Sequence, residues 1–164
     1  MKPTLYLETT IPSYYTARPV RDVIVLAHQE ITRMWWEQRL PLFTIYISPV
    51  VLEEARQGDP EAAQRRLEIL APFPVLEATV AIEQLAETYM TQLLLPDKAL
   101  RDVAHLAFAC GYELDYLVTW NCTHIANAEL RRRLIALNTT LGLQTPTICT
   151  PEELMGAEEA DHVR

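Results

Sequence analysis

Hydrophobic and polar positions switch between two periods along this chain, and each switch predicts the edge of an element. Thr4-Leu5-Tyr6-Leu7 is a short β-favouring run that gives way to polar Glu8-Thr9-Thr10 and then Pro12, predicting an opening strand that ends in a polar turn. From Val20 to Gln38 the apolar residues Val23, Ala27, Ile31, Met34 and Trp35 recur at helical spacing, and Pro41 closes that helix. Leu42–Ile47 is dense in β-branched and aromatic residues and predicts a second strand. Ser48-Pro49 reads as an N-cap with proline at the first helical position, opening a helix from Val50 to Gln57. Gly58-Asp59-Pro60 is a turn into a helix over Glu61–Leu70, and Pro72 and Pro74 bracket a brief strand, Phe73–Leu76.

The second half repeats the alternation. Thr79–Leu94 and Lys98–Cys110 are predicted helices, the latter capped by Gly111. Tyr116–Thr119 has the unbroken apolar character of a strand buried on both faces. Ala126–Leu141 is the last long helix, stopped by Gly142, and Pro146–Cys149 is a final strand. Strands alternating with helices predict an α/β domain with a mainly parallel central sheet. The 164 residues suit one domain, taken as 1–155, followed by a polar tail, 156–164, expected to be disordered.

Composition narrows the function classes. With 49% hydrophobic and 22% charged residues the chain is an ordinary globular one. Its four glycines are far apart, which excludes a glycine-rich phosphate loop. A net charge of −8 argues against a general polyanion binder, but divalent cations can offset carboxylates at a nucleic-acid site. Three widely spaced cysteines, Cys110, Cys122 and Cys149, build neither a disulfide framework nor a zinc ribbon. With no signal-peptide pattern and no run long enough to span a bilayer, a cytoplasmic setting without a membrane partner is expected.

Active sites in open parallel sheets lie beyond the carboxyl ends of the strands, so the polar residues that follow each strand are the candidates. These are Glu8, Thr9 and Thr10 after the first strand, then Ser48, Glu53 and Glu54 after the second, and Thr119, Trp120 and Asn121 after the third. Asp102 sits in the opening turns of the helix before that third strand. Acids converging in one cleft repel one another unless a cation is present, and hard oxygen donors suit Mg²⁺ or Mn²⁺. No D-x-D follows any strand, which disfavours a metal phosphatase.

Four stretches resemble, in order, the motifs of PIN-domain ribonucleases: Tyr6-Leu7-Glu8-Thr9-Thr10, Ser48-Pro49-Val50-Val51-Leu52-Glu53-Glu54, Asp102-Val103-Ala104-His105-Leu106-Ala107-Phe108-Ala109 and Asp115-Tyr116-Leu117-Val118-Thr119-Trp120-Asn121. The bacterial type most similar is the VapC toxin of type II toxin–antitoxin modules. The resemblance implies a three-layer α/β/α sandwich and a Mg²⁺- or Mn²⁺-dependent endoribonuclease, commonly a homodimer held inactive by a small antitoxin. Carried over by position, it implies metal-holding acids at Glu8, Glu54 and Asp102, with Asn121 in the fourth place. Glu54 matches better than Glu53 because the family acid lies six residues after the serine. Thr9, Ser48, His105 and Thr119 are possible supporting residues. Two departures stand out: Glu8 and Asn121 occupy positions where the family usually has aspartate. They keep open a second reading, a degenerate PIN fold that binds RNA or protein without catalysis.

Other features carry a structural reading beside the functional one. His105 lies one helical turn after Asp102 and suits a core histidine or a ligand-orienting one. Asn121 also suits the cap of a following turn. Tyr14-Tyr15 and Trp35-Trp36 could stack on bases, with at least one of each pair expected in the core or a subunit interface. Arg131-Arg132-Arg133 fans around its helix, giving a solvated face with RNA-backbone contact as the alternative.

Overall fold

Leu5, Tyr6 and Leu7 are all fully buried although neighbouring side chains on a strand point to opposite faces, so the first strand, β1 (Thr4–Leu7), must be covered on both sides. The computed structural model, which describes residues 1–156, shows how. Among the described residues four strands form one parallel sheet in the order β2 (Thr44–Tyr46), β1, β3 (Tyr116–Val118), β4 (Thr147–Cys149). Seven α-helices flank it: α1 (Thr10–Thr16), α2 (Val23–Gln38), α3 (Pro49–Ala55), α4 (Pro60–Leu70), α5 (Val80–Gln92), α6 (Leu100–Gly111) and α7 (Ala128–Leu141). The result is the three-layer α/β/α sandwich, with Leu5, Leu7, Leu106, Leu117 and Val118 in its core.

β1 is central: the chain leaves it towards β2 on one side and returns to β3 on the other. That reversal creates a crevice at the carboxyl ends of β1 and β3, the usual ligand position in such sheets. Register fixes what meets there. Leu7 pairs with Val118, and the Glu8 N–H donates to the Val118 carbonyl at 3.2 Å, so Glu8 and Thr119 emerge side by side.

Local chemistry explains most boundaries. Asp22 caps α2 by accepting from the N–H groups of Ile24 and Val25, which starts the helix at Val23 rather than Val20. Ser48, Asp59, Thr79 and Asn127 cap α3, α4, α5 and α7 in the same way. Gly142 closes α7 at φ 70°, the left-handed conformation that glycine adopts without a side-chain clash.

Three expectations are corrected. Thr10 does not begin a loop: Thr10–Thr16 is helical, and Pro12 lies in the first turn, where its missing N–H has no helical acceptor to satisfy. Phe73–Leu76 is not a full strand; prolines at 72 and 74 lack ladder donors, leaving one parallel bridge between Ile47 and Val75. Gly111 is not the left-handed cap of α6; it is the helix's last residue, and the chain turns at Glu113 with φ 51°. Gly111 leaves room for a neighbour, because a Cβ there would meet Cδ1 of Ile82 on α5 and oblige that side chain to shift. Apart from Gly156, the predicted polar tail lies outside the described residues.

Candidate metal centre

Each candidate acid enters the crevice from a different element, and each has one carboxylate oxygen held by the protein. Glu8, almost fully buried just beyond β1, receives three hydrogen bonds on Oε2: from Thr10 N–H (3.1 Å), Thr10 Oγ1 (2.5 Å) and Thr119 Oγ1 (2.6 Å). Thr10 Oγ1 in turn accepts from Trp120 N–H at 2.8 Å, and Thr119 Oγ1 accepts from Asn121 N–H at 2.9 Å. Beyond β1 and β3, the two loops are therefore laced together around one oxygen of Glu8.

Glu54 projects from α3 and is half-buried, whereas Glu53 beside it is exposed. Its Oε1 accepts from Thr9 Oγ1 at 2.7 Å and contacts His105 Nε2 at 2.6 Å. Burial pushes the Glu54 carboxyl upwards, but the His105 hydrogen bond and charge, with help from Thr9 and Arg101, outweigh it and leave the pKa below the ordinary carboxylate value. Glu54 is thus held in its charged form.

Asp102, in the first turn of α6, accepts on Oδ1 from Asn121 Nδ2 at 2.9 Å. Burial raises its pKa and the Glu54 charge adds to that rise, while His124, His105 and the Asn121 hydrogen bond partly offset it. Asp102 thus feels the charge of Glu54, as expected of one cleft.

His105 lies one turn further along α6 and is fully buried. Its Nε2 is 3.9 Å from Glu8 Oε1 as well as hydrogen-bonded to Glu54, so donor atoms of Glu8, Glu54 and His105 all fall within 4.8 Å of one another. Asp102 and Asn121 sit beside this cluster as a hydrogen-bonded pair. Among the described residues, every hydrogen bond to Glu8 falls on Oε2, every one to Glu54 on Oε1 and the one to Asp102 on Oδ1. One oxygen of each carboxylate carries no hydrogen bond, and that of Glu8 faces His105 Nε2 at 3.9 Å. These oxygens are a donor set of the hard, anionic kind that Mg²⁺ or Mn²⁺ takes.

The supporting residues separate clearly. Thr9 and Thr119 each hold an acid directly. Ser48 caps α3 through Val51 N–H and pairs with Tyr6 Oη at 2.7 Å, and Tyr6 Oη reaches His105 Nδ1 at 2.7 Å. Asn121 is fully engaged: besides binding Asp102, its Oδ1 accepts from His124 N–H at 3.0 Å, the turn-capping alternative. Sequence reasoning missed the part played by Tyr6 and assigned none to Thr10. Tyr6 reads as an apolar strand position, and Thr10 reads only as part of a polar turn. Beside the crevice Trp120 stacks on His28 and meets Tyr14 edge-on, while Trp35 is buried and Trp36 stacks on Tyr15. Two of the arginines on α7 are tied to backbone carbonyls, Arg131 to Ile148 and Arg133 to Leu93.

No protein-family model matches the chain, and no curated protein matches it in sequence. Solved structures do match. The crystal structure of VapBC2 from Rickettsia felis, bound to a DNA fragment from their promoter, aligns with a TM-score of 0.57 over 90% of this chain and 98% of that one, at 17% identity. VapC20 from Mycobacterium tuberculosis, a Sarcin-Ricin loop cleaving toxin, aligns with a TM-score of 0.60 over 76% of this chain and 95% of that one, at 14% identity. At such identities the likeness concerns the path of the backbone, and in that sense the chain has a VapC-like PIN-domain fold.

Proposed function

We propose that this protein is a divalent-metal-dependent endoribonuclease, acting as the toxin of a type II toxin–antitoxin module. The observation that carries the reading is the crevice itself: Glu8, Glu54 and Asp102 each keep one oxygen without a hydrogen bond among the described residues, at the sheet edge where this fold places ligands. Glu8, Glu54 and Asp102 would hold Mg²⁺ or Mn²⁺, with Asn121 adjusting Asp102. A bound cation of this kind polarises a phosphodiester and makes water nucleophilic near neutral pH. The chain's own part is to fix the acids in advance. Thr10 and Thr119 immobilise Glu8, Thr9 and His105 immobilise Glu54, and Asn121 immobilises Asp102, so little reorganisation remains when the cation and RNA arrive. VapC20, a Sarcin-Ricin loop cleaving toxin, and VapBC2 have a similar fold, which supports the choice of RNA as substrate and of a small antitoxin as partner. A homodimer in the cytoplasm completes the proposal, and no helix among the described residues is long and apolar enough to cross a membrane.

One observation favours a second reading. Asn121 contributes no charge at the fourth position, and both its amide groups are engaged within the protein, so the fold could serve as a binding module without catalysis. Incubating a mixed RNA pool with the protein and Mn²⁺ or Mg²⁺, against EDTA and against Asp102→Ala, separates the two. Cleavage lost with EDTA and in the variant is expected. Preparations freed of any co-purified antitoxin that leave the RNA intact would move the function to the non-catalytic reading.

A further inference from the structure

Four buried or half-buried groups, Ser48 at the cap of α3, Tyr6 on β1, His105 on α6 and Glu54 on α3, form one continuous hydrogen-bonded line into the crevice. It runs from Ser48 Oγ to Tyr6 Oη (2.7 Å), from Tyr6 Oη to His105 Nδ1 (2.7 Å), and from His105 Nε2 to Glu54 Oε1 (2.6 Å). Each contact alone allows the hydrogen to lie on either side. Together they leave one consistent arrangement. A carboxylate only accepts, so the bond to Glu54 needs a hydrogen on His105 Nε2. Ser48 Oγ already accepts from Val51 N–H at 3.4 Å, and Ser48 is fully buried. If Tyr6 donated to Ser48 as well, the serine's own hydrogen would be buried without an acceptor among the described residues, an arrangement that costs free energy. Ser48 therefore donates to Tyr6, Tyr6 Oη bridges it to Nδ1, and the Nε2 hydrogen points at Glu54.

We infer that Ser48, Tyr6 and His105 are positioning residues that hold Glu54 by Oε1 and so present its other oxygen to the cation. The inference rests on the metal-centre reading above and adds to it the device that aims one acid. Its parts are poorly suited to a merely apolar role. Tyr6 is fully buried in the central strand, where phenylalanine would fill nearly the same space without a polar group to satisfy. Partners of this kind typically change metal affinity by about 10–100-fold when removed.

The test uses the full chain. In the metal-free protein, long-range ¹H–¹⁵N correlation of the His105 ring is expected to show hydrogen on Nε2; a ring whose Nε2 carries none overturns the inference. Calorimetric titration with Mn²⁺ is expected to show about 10-fold or greater weakening in Tyr6→Phe and in His105→Leu, with recovery in His105→Gln, whose amide can still donate to Glu54. Thermal melts accompany each variant, and Tyr6→Phe is the decisive one because it changes a single oxygen. A folded Tyr6→Phe that binds Mn²⁺ as the wild type does refutes the positioning role, even if RNA cleavage is found. Weakened Mn²⁺ binding in that variant, with no RNA cleavage by the wild type, upholds the positioning role and sinks the ribonuclease reading instead.

Discussion

Thr119→Val removes a single hydroxyl from the centre of the crevice and should be among the more damaging substitutions of its size. The Thr119 Oγ1 group donates to Glu8 Oε2 at 2.6 Å and accepts from Asn121 N–H at 2.9 Å, and the residue is fully buried. A hydrogen bond to a charged acceptor contributes about 1.5–3 kcal/mol, and a half-buried N–H left without its partner costs about 1 kcal/mol more. Valine matches threonine in shape, so the packing term is small and the expected loss is about 2–4 kcal/mol. For a domain of this size each kcal/mol lowers the melting temperature by roughly 2–4 °C. Chemical denaturation of the metal-free protein measures the free energy directly. Thr119→Ser keeps both hydrogen bonds and should recover most of the loss. A Thr119→Val protein within about 0.5 kcal/mol of wild type would refute the claim that the loops after β1 and β3 are laced through Glu8, as would a serine variant no better than valine.

Other substitutions probe separate parts of the account. Gly111→Ala should destabilise by about 1–2 kcal/mol, because the new methyl meets Ile82 Cδ1. In an Ile82→Val background, which lacks that atom, the same change should become neutral or stabilising through the better helix propensity of alanine, and equal losses in both backgrounds would show that the contact does not matter. Asn121→Asp replaces the amide that donates to Asp102 Oδ1 with a second carboxylate, so the metal-free protein should lose roughly 2 kcal/mol, and saturating Mn²⁺ should restore it. Melting curves with Mn²⁺ and with EDTA check this; a loss that Mn²⁺ leaves unchanged would place the cation elsewhere. Asp115 accepts from Thr4 N–H at 2.7 Å and from Thr4 Oγ1 at 2.9 Å, bonds that hold its pKa below the ordinary 3.8. Because the folded value is the lower one, the stabilisation is complete above pH 3.8 and disappears as the pH falls through the folded pKa; Asp115→Asn should therefore lower stability at neutral pH, converge on the wild type at acid pH and flatten the pH dependence between, whereas a wild-type slope kept in the variant would place the titration elsewhere.

The first and third strands and the polar residues beyond them were legible in the sequence because both follow from the run of apolar positions. Leu5-Tyr6-Leu7 and Tyr116-Leu117-Val118 are unbroken apolar runs, and Glu8 and Asn121 are polar residues just beyond them. Thr10–Thr16 was hidden because Pro12 reads as a breaker unless the helix start is already known. The line behind Glu54 was hidden for a different reason. Tyr6 and Ser48 are brought together by the pairing of Tyr6 with Tyr46 across β1 and β2, and His105 arrives from 99 residues away on α6. No local pattern records a contact set by sheet register and helix packing, so a hydroxyl on an otherwise apolar strand passes for core.

The proposed function puts metal binding and RNA cleavage at one cation centre. The most direct test is the rate of RNA cleavage as a function of Mn²⁺ concentration, set beside the calorimetric Mn²⁺ affinity, in wild type and in Glu54→Gln. The account predicts that the cleavage midpoint and the binding constant coincide in the wild type and that Glu54→Gln shifts both to higher Mn²⁺ together. Cleavage that persists in EDTA, or a midpoint that stays in place while Glu54→Gln weakens binding, would contradict it.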